Sequence, residues 1–373
     1  MQLLVGLLWT LPILTLVISL HELGHLLVAK HFGFKIQEYF VGFGPRLWST
    51  RRGEIEYGVK AFLIGGYVKI AGMNPYETVA AEDLPRSYGA KPIWQRALVI
   101  FAGPGSHFVI GAVFFALWLG LSGNPSTGVP GVEAVAQQIN GHVSPASAAG
   151  LRPGDVIVGV GPISRPTGEE LSTYLEAHVG HPVIFTIERG SATLHLTMTP
   201  ELSNVGGTQI ARVGIRTGLT DIQRSGPLAA IVGGVRFTGT AVAGSIGQIG
   251  HVFGPSGMSR VWHLLFSNAP RRPTDATSLV GIGQQVGAVS QAGDYGLLLY
   301  VAGFITVFIG LLNLIPLPPF DGGHLLLLAI EKVRGKTIDF RKVIPVSVLV
   351  MGFFVVFVLS TMFLDITKPL PGP

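Results

Sequence analysis

His21 and His25 stand four residues apart in the run His21-Glu22-Leu23-Gly24-His25. On a helix that spacing places both imidazoles on one face, where they can hold one zinc ion, Zn2+, while the Glu22 carboxylate handles a proton of the attacking water. The run lies inside an unbroken apolar stretch from Leu3 to Ala29, and two histidines with a carboxylate in hydrocarbon are expensive enough to mark a functional site. The chain has no cysteine, so thiolate ligands are excluded and the rest of a metal site must come from histidine or carboxylate. A third ligand is offered far along the chain, in Asn313-Leu314-Ile315-Pro316-Leu317-Pro318-Pro319-Phe320-Asp321-Gly322-Gly323-His324. Its prolines break a helix, and broken backbone at membrane depth survives only inside protein or facing a wet cavity, which gives Asp321 a reason to be buried. His21, His25 and Asp321 leave the fourth position open, as a catalytic zinc site requires. His324, one turn further on, is expected to support the ligands and not to join them.

These residues need a frame, and the composition says which kind. Of 373 residues 48% are hydrophobic and only 13% charged, which is too apolar for an ordinary soluble enzyme. Four stretches, 3–29, 97–121, 296–316 and 344–364, reach the roughly 20 apolar residues that a bilayer core of about 30 Å demands. The first lacks a positive n-region and a cleavage site, so it is expected to remain as a spanning helix. Residues 30–96 carry ten Lys and Arg, 317–343 carry five, and the longer 122–295 carries ten. The first and third connections are therefore expected in the cytoplasm, with both termini and the middle stretch on the opposite side. The net charge of +5 follows this orientation and does not form a nucleic-acid-binding stripe. At 1.5 Å per residue, His25 lies about 8 Å and His21 about 14 Å inside the cytoplasmic exit at Lys30, so the metal is expected below the membrane surface.

Between the first two spans, residues 54–70 alternate as strands on either side of Gly65-Gly66, a favoured turn pair, with Tyr67 opening the second strand. The apolar middle of this hairpin, Ala61-Phe62-Leu63-Ile64, either dips into the protein at membrane depth, offering an open edge to an extended peptide, or rests on the membrane surface. Gly42, Gly44 and Pro45 mark a turn before it. His107, polar in the second span, either lines the cavity or packs against a neighbouring helix. Residues 128–201 read as a small water-soluble β-rich domain, with a helix from Glu169 to His178 and strands at 183–188 and 193–199. Residues 222–267 read as amphipathic helix at the outer interface, and 268–293 as loop.

Together these pieces resemble the site-2 protease family of membrane-embedded zinc metalloproteases, in its bacterial regulated intramembrane branch. The resemblance covers nearly the whole chain. It rests on the two metal motifs, Gly42-Phe43-Gly44-Pro45, Gly65-Gly66-Tyr67-Val68-Lys69, Gly103-Pro104 and the four-span pattern. It implies a multi-pass α-helical membrane protein with four transmembrane helices, a membrane-associated β-hairpin and an inserted extracytoplasmic PDZ-like α+β domain. Residues 1–127 and 296–373 would be the protease halves, 54–72 the re-entrant hairpin, 128–201 the PDZ domain and 202–295 an interfacial linker. By the same resemblance Glu22 is catalytic, His21, His25 and Asp321 bind zinc, and Asn313, Gly65, Gly66 and Tyr67 hold the substrate as an added strand. Substrates would be single-span proteins of the bacterial inner membrane, such as anti-sigma factors or leftover signal peptides, cut near the cytoplasmic side of the lipid bilayer. Three features depart from the family: no proline precedes the hairpin glycines, His107 stands where asparagine is common, and one PDZ module is visible where some relatives carry two.

Two other classes compete. A non-catalytic membrane adaptor could bind protein tails through the PDZ-like domain and keep the metal for structure, but a structural site needs no general base and closes its fourth position. A metal transporter would need a continuous polar path and paired repeats, and the four spans offer neither.

Overall fold

In the computed structural model, which describes residues 2–74, 76–125, 128–205, 208–220, 222, 224–272, 274–291, 295–338 and 340–370, the leading apolar run forms one helix, α1 (Gln2–His31), with the histidine motif in its last third. Two long strands follow, β1 (Ile36–Arg52) and β2 (Ile55–Ile70), and then α2 (Ile93–Ser122). The chain divides into two units, Met1–Trp118 with Leu228–Pro373, and Leu119–Pro227.

In the unit Leu119–Pro227 the alternating apolar residues make short strands: β3 (Val129–Val135), β4 (Gln138–Ile139), β5 (His142–Val143), then a helical turn α3 (Pro145–Ala148), β6 (Val156–Val160) and β7 (Ile163–Ser164). Helix α4 (Gly168–Ala177) starts in a capping box between Thr167 and Glu170. After it come β8 (Val183–Arg189), β9 (Ala192–Met198), β10 (Glu201–Val205), β11 (Thr208–Arg212) and β12 (Ile215–Thr220). One antiparallel sheet has the order β12-β3-β6-β8-β9, with β7 paired to β6. Phe185 and Ile187 alternate into its core together with Ile157 and Val160, whose odd spacing is absorbed by a register shift between Ile157 and Gly159, and Leu171 and Leu175 of α4 cover it. The expected boundary at 201 is corrected: β12 pairs with β3 along an edge of the sheet, so the folded unit runs to about residue 220. That strand buries little of itself, and its sequence therefore carries no strong apolar alternation.

Asp155, in the turn before β6, is 1% exposed. Arg189 Nε and Nη2 donate to its two oxygens at 2.7 Å each, and the Arg152 N–H donates at 2.8 Å. The Arg189 guanidinium holds the Asp155 carboxyl below the usual carboxylate range. A depressed folded pKa means that this contribution is complete above the unfolded value of about 3.9 and is lost as pH falls through the folded one. We expect Asp155→Asn to cost this unit on the order of 2 kcal/mol at neutral pH. Amide exchange in β6 and β8 should speed up accordingly, and the difference from wild type should vanish in strong acid.

The second half of the membrane unit adds α5 (Pro227–Phe253), α6 (Pro255–Phe266), α7 (Leu279–Gln291), α8 (Tyr295–Asn313), α9 (Asp321–Arg334) and α10 (Ile344–Thr367). Among the described residues five helices, not the expected four, are long and apolar enough to cross a membrane: α1, α2, α5, α8 and α10. The additional one, α5, starts beside the C-terminal end of α2, where Gly234 packs on Ala112 and Ala116 and Phe237 meets Trp118. It finishes with Phe253 against Phe353, Phe354 and Phe357, midway along α10. The chain then doubles back, because α6 leads to the C-terminal end of α10, where Lys368 Nζ donates to the carbonyls of Leu264 and Ser267. Tyr300 near the start of α8 stacks near Trp118, and Tyr295 meets Trp9 of α1, so both ends of the α5–α6 pair lie at the end of the unit opposite the histidines.

The loop expected over 268–293 is also corrected, since α7 occupies 279–291. Its glycines lower helix propensity and read as loop, but Gly6 and Gly283 bring α1 and α7 into backbone contact, and tertiary packing overrides propensity. Asp365, fully buried near the end of α10, ties this region down. It accepts from Arg271 Nη1 at 2.5 Å, the Ser278 N–H at 2.7 Å and Ser278 Oγ at 2.6 Å.

Candidate metal centre

One turn of α1, one turn of α2 and the start of α9 converge here. His21 Nε2 and His25 Nε2 lie 3.2 Å apart, and Asp321 Oδ2 lies 3.3 Å from the first and 3.5 Å from the second. A tetrahedral ion with bonds of about 2.0–2.1 Å sets its ligand atoms about 3.3–3.4 Å apart, so these atoms form one face of such a tetrahedron. Two nitrogens and one carboxylate oxygen are also donors that zinc accepts. Both rings are oriented through their other nitrogen. His25 Nδ1 donates to the Val99 carbonyl of α2 at 2.7 Å, and His21 Nδ1 meets His107 Nε2 at 3.0 Å. The space for an ion depends on Gly103, because a Cβ there would fall 2.2 Å from His25 Nε2 and 2.7 Å from His21 Cε1.

Asp321 reaches the histidines because the loop after α8 folds back tightly. It is the first residue of α9, and Gly322 and Gly323 lie against the backbone of Leu314, Ile315, Leu317 and Pro318 with no room for a Cβ. Asn313 ends α8, next to Leu314 in that packed stretch. His324 faces a separate cavity of about 180 Å³ lined also by Met73, Asn74, Pro318, Pro319 and Ser347.

The strands approach Glu22 from the other side, and here the expected hairpin is corrected. Its turn lies at Gly53, between β1 and β2, while Gly65 and Gly66 sit inside β2. Gly42, Gly44 and Gly65, at φ of 86°, 84° and 108°, bend the strands so that β1 pairs twice. Residues 36–41 pair with 66–70 on one side, 38–41 pair with 56–59 on the other, and 46–52 pair with 55–60. Among the described strands 66–70 pairs only with β1, which leaves its outer edge open. That edge meets Glu22. The Val68 backbone faces the Glu22 carboxylate, and a Cβ on Gly66 would lie 3.3 Å from Glu22 Cγ. Tyr67 points to the opposite face, where it stacks on Phe40 and Phe43 and its hydroxyl donates to Glu38 at 2.5 Å. Further along, Thr15 Oγ1 donates to the Leu63 carbonyl at 2.6 Å, and Tyr39 Oη donates to the Ser19 carbonyl at 2.8 Å.

The structure thus brings His21, Glu22, His25, Asp321 and Gly66 together and leaves the Tyr67 side chain outside the group. Sequence reasoning left His107 open between the cavity and a neighbouring helix and gave Gly103 no seat, although both belong to Gly103-Pro104-Gly105-Ser106-His107, a cluster of small and polar residues in an apolar span that signals close packing.

A helical membrane unit that carries two histidines and a carboxylate at zinc spacing beside a glutamate defines the class: a membrane-embedded metallopeptidase. The sequence matches Peptidase family M50 over residues 9–359, and the chain belongs to that family, the site-2 proteases. It is 30% identical over 386 residues to zinc metalloprotease Rip1 of Mycobacterium tuberculosis, covering 95% of both chains. It is 30% identical to metalloprotease MmpA of Caulobacter vibrioides, over 86% of this chain and 85% of the relative, and 27% identical to zinc metalloprotease RasP of Geobacillus kaustophilus, over 86% and 88%. The protein is an integral membrane zinc metalloprotease, which sets aside the adaptor and transporter alternatives.

Proposed function

We propose that this protein cuts the transmembrane segment of single-span membrane proteins in the bacterial inner membrane, as a step of regulated intramembrane proteolysis. The observation that carries the reading is the face of donors at 3.2, 3.3 and 3.5 Å beside Glu22 and an open strand edge. His21, His25 and Asp321 hold zinc, which when bound polarises the scissile carbonyl and acidifies water. Glu22 takes a proton from the attacking water and returns it to the leaving amine.

A helical substrate cannot be cut as it stands, since each carbonyl is committed to its own helix ladder. The open edge at residues 66–70 accepts the unwound segment as an added strand, using the backbone of Gly65, Gly66 and Tyr67, while Asn313 steadies it from the α8 side. The contact between Leu63 and Thr15 supports a re-entrant hairpin, because Thr15 lies seven residues, or roughly 10 Å, further along α1 from the cytoplasmic end than Glu22. Four helices, α1, α2, α8 and α10, cross the bilayer, and α5–α6 enters and leaves on the extracytoplasmic side. Both termini and the PDZ domain, which extends through β12, lie on that side, where the domain filters substrates. Anti-sigma factors and remnant signal peptides both present the single short membrane segment this arrangement takes.

The test is cleavage of single-span substrates by the purified enzyme. Replacing helix-weakening residues near the cut by leucine should slow cleavage by about tenfold or more, each 1.4 kcal/mol of added helix stability being a factor of ten in the unwound population. Equal rates for the leucine series and its parent would overturn the unwinding step.

A further inference from the structure

His107 is 1% exposed, and its ring sits between the metal centre and α8. Its Nε2 lies 3.0 Å from His21 Nδ1. His21 presents Nε2 to His25 and Asp321, so a metal can take that nitrogen only if the His21 proton is on Nδ1. Nδ1 then donates to His107 Nε2, which must be bare, and the proton of His107 itself is left on Nδ1. That atom is buried and has no protein partner among the described residues. A buried N–H without an acceptor is unfavourable and needs a reason. The ring is nonetheless held firmly from behind. Gly310 of α8 lies so close that a Cβ on it would meet His107 Cβ at 2.6 Å and Cγ at 3.1 Å.

We propose that His107 is a positioning residue that sets the tautomer and ring angle of His21, and so the zinc affinity of the centre, at the cost of its own unpartnered N–H. The inference rests on the assignment of His21, His25 and Asp321 as zinc ligands. His25 is oriented by a backbone carbonyl that no substitution can remove, whereas His21 depends on this one side chain.

The experiment uses the full chain in detergent and measures zinc affinity by competition with a chelator, together with thermal unfolding of the zinc-free forms. His25→Ala tests the ligand assignment itself and should lose zinc; if it binds normally, the assignment fails before His107 is at issue. His107→Leu keeps apolar bulk without an acceptor and should weaken zinc binding by about 10- to 100-fold, the usual range for the outer partner of a ligating histidine. His107→Gln places Oε1 where Nε2 stood and should recover affinity to within about threefold of wild type, as an acceptor of matching reach supplies the same contact. The zinc-free leucine variant should melt no lower than wild type, since it deletes a buried unpartnered N–H. Wild-type affinity in His107→Leu, equal losses in the leucine and glutamine variants, or a zinc-free melting drop in the leucine variant that accounts for its loss would each overturn the proposal.

Discussion

Glu22→Gln should abolish cleavage and leave zinc in place. Glutamine matches glutamate in shape, so the close approach of Gly66 to the Glu22 side chain, and with it the packing of α1 on the edge of β2, survives. Glu22 lies outside the face formed by His21, His25 and Asp321, so the metal should remain at about one per chain. What disappears is a group that can receive a proton from water, which is worth about 10²- to 10⁴-fold in such reactions. The measurement pairs zinc content with cleavage of single-span substrates. Retained zinc with cleavage reduced at least a hundredfold supports the assignment of Glu22 as the base; equal cleavage by both proteins would remove Glu22 from the chemistry.

The parts of this centre that were legible in the sequence are those whose residue types are costly where they stand. Histidines and carboxylates in apolar spans have few purposes, so His21, Glu22, His25 and Asp321 could be picked out at once, although the last lies three hundred residues from the first. Glycines are ambiguous in the same way that these residues are not. Gly65-Gly66 spells a turn, yet in the fold it is a bend inside a strand whose real turn is at Gly53, because both arrangements need the backbone freedom that only glycine supplies. The same ambiguity hid α7, whose glycines serve contact with α1, and left α5, whose length and composition match a spanning helix, unrecognised as one. Length and hydropathy register that a helix is apolar and not where its far end goes; the contacts of Phe253 and Leu264 with α10 decide that.

Gly103 gives the largest effect expected from a residue that ligates nothing. Gly103→Ala adds one methyl group to α2, and the Cβ would fall 2.2 Å from His25 Nε2, 2.4 Å from His25 Cε1 and 2.7 Å from His21 Cε1. These are not the flexible ends of long side chains. Both rings are pinned, His25 by the Val99 carbonyl of the same helix and His21 by His107, so neither can give way without breaking the contact that orients it. The methyl group therefore displaces the ligand atoms themselves. We expect zinc binding to weaken by on the order of 100-fold or more, above the usual cost of disturbing a ligand's outer partner, with cleavage lost in parallel. The effect cannot come from a weakened helix, since alanine favours helix over glycine by about 1 kcal/mol. Gly105→Ala is the control on the same helix: its Cβ would meet only the Phe101 ring, at 3.3 Å, a contact that a small ring shift relieves. Zinc content and cleavage near wild type in Gly105→Ala, with both lost in Gly103→Ala, would place the ion against α2 at this glycine. Normal zinc in Gly103→Ala would mean that the ion sits elsewhere, and that the face of donors on α1 and α9 is not its site.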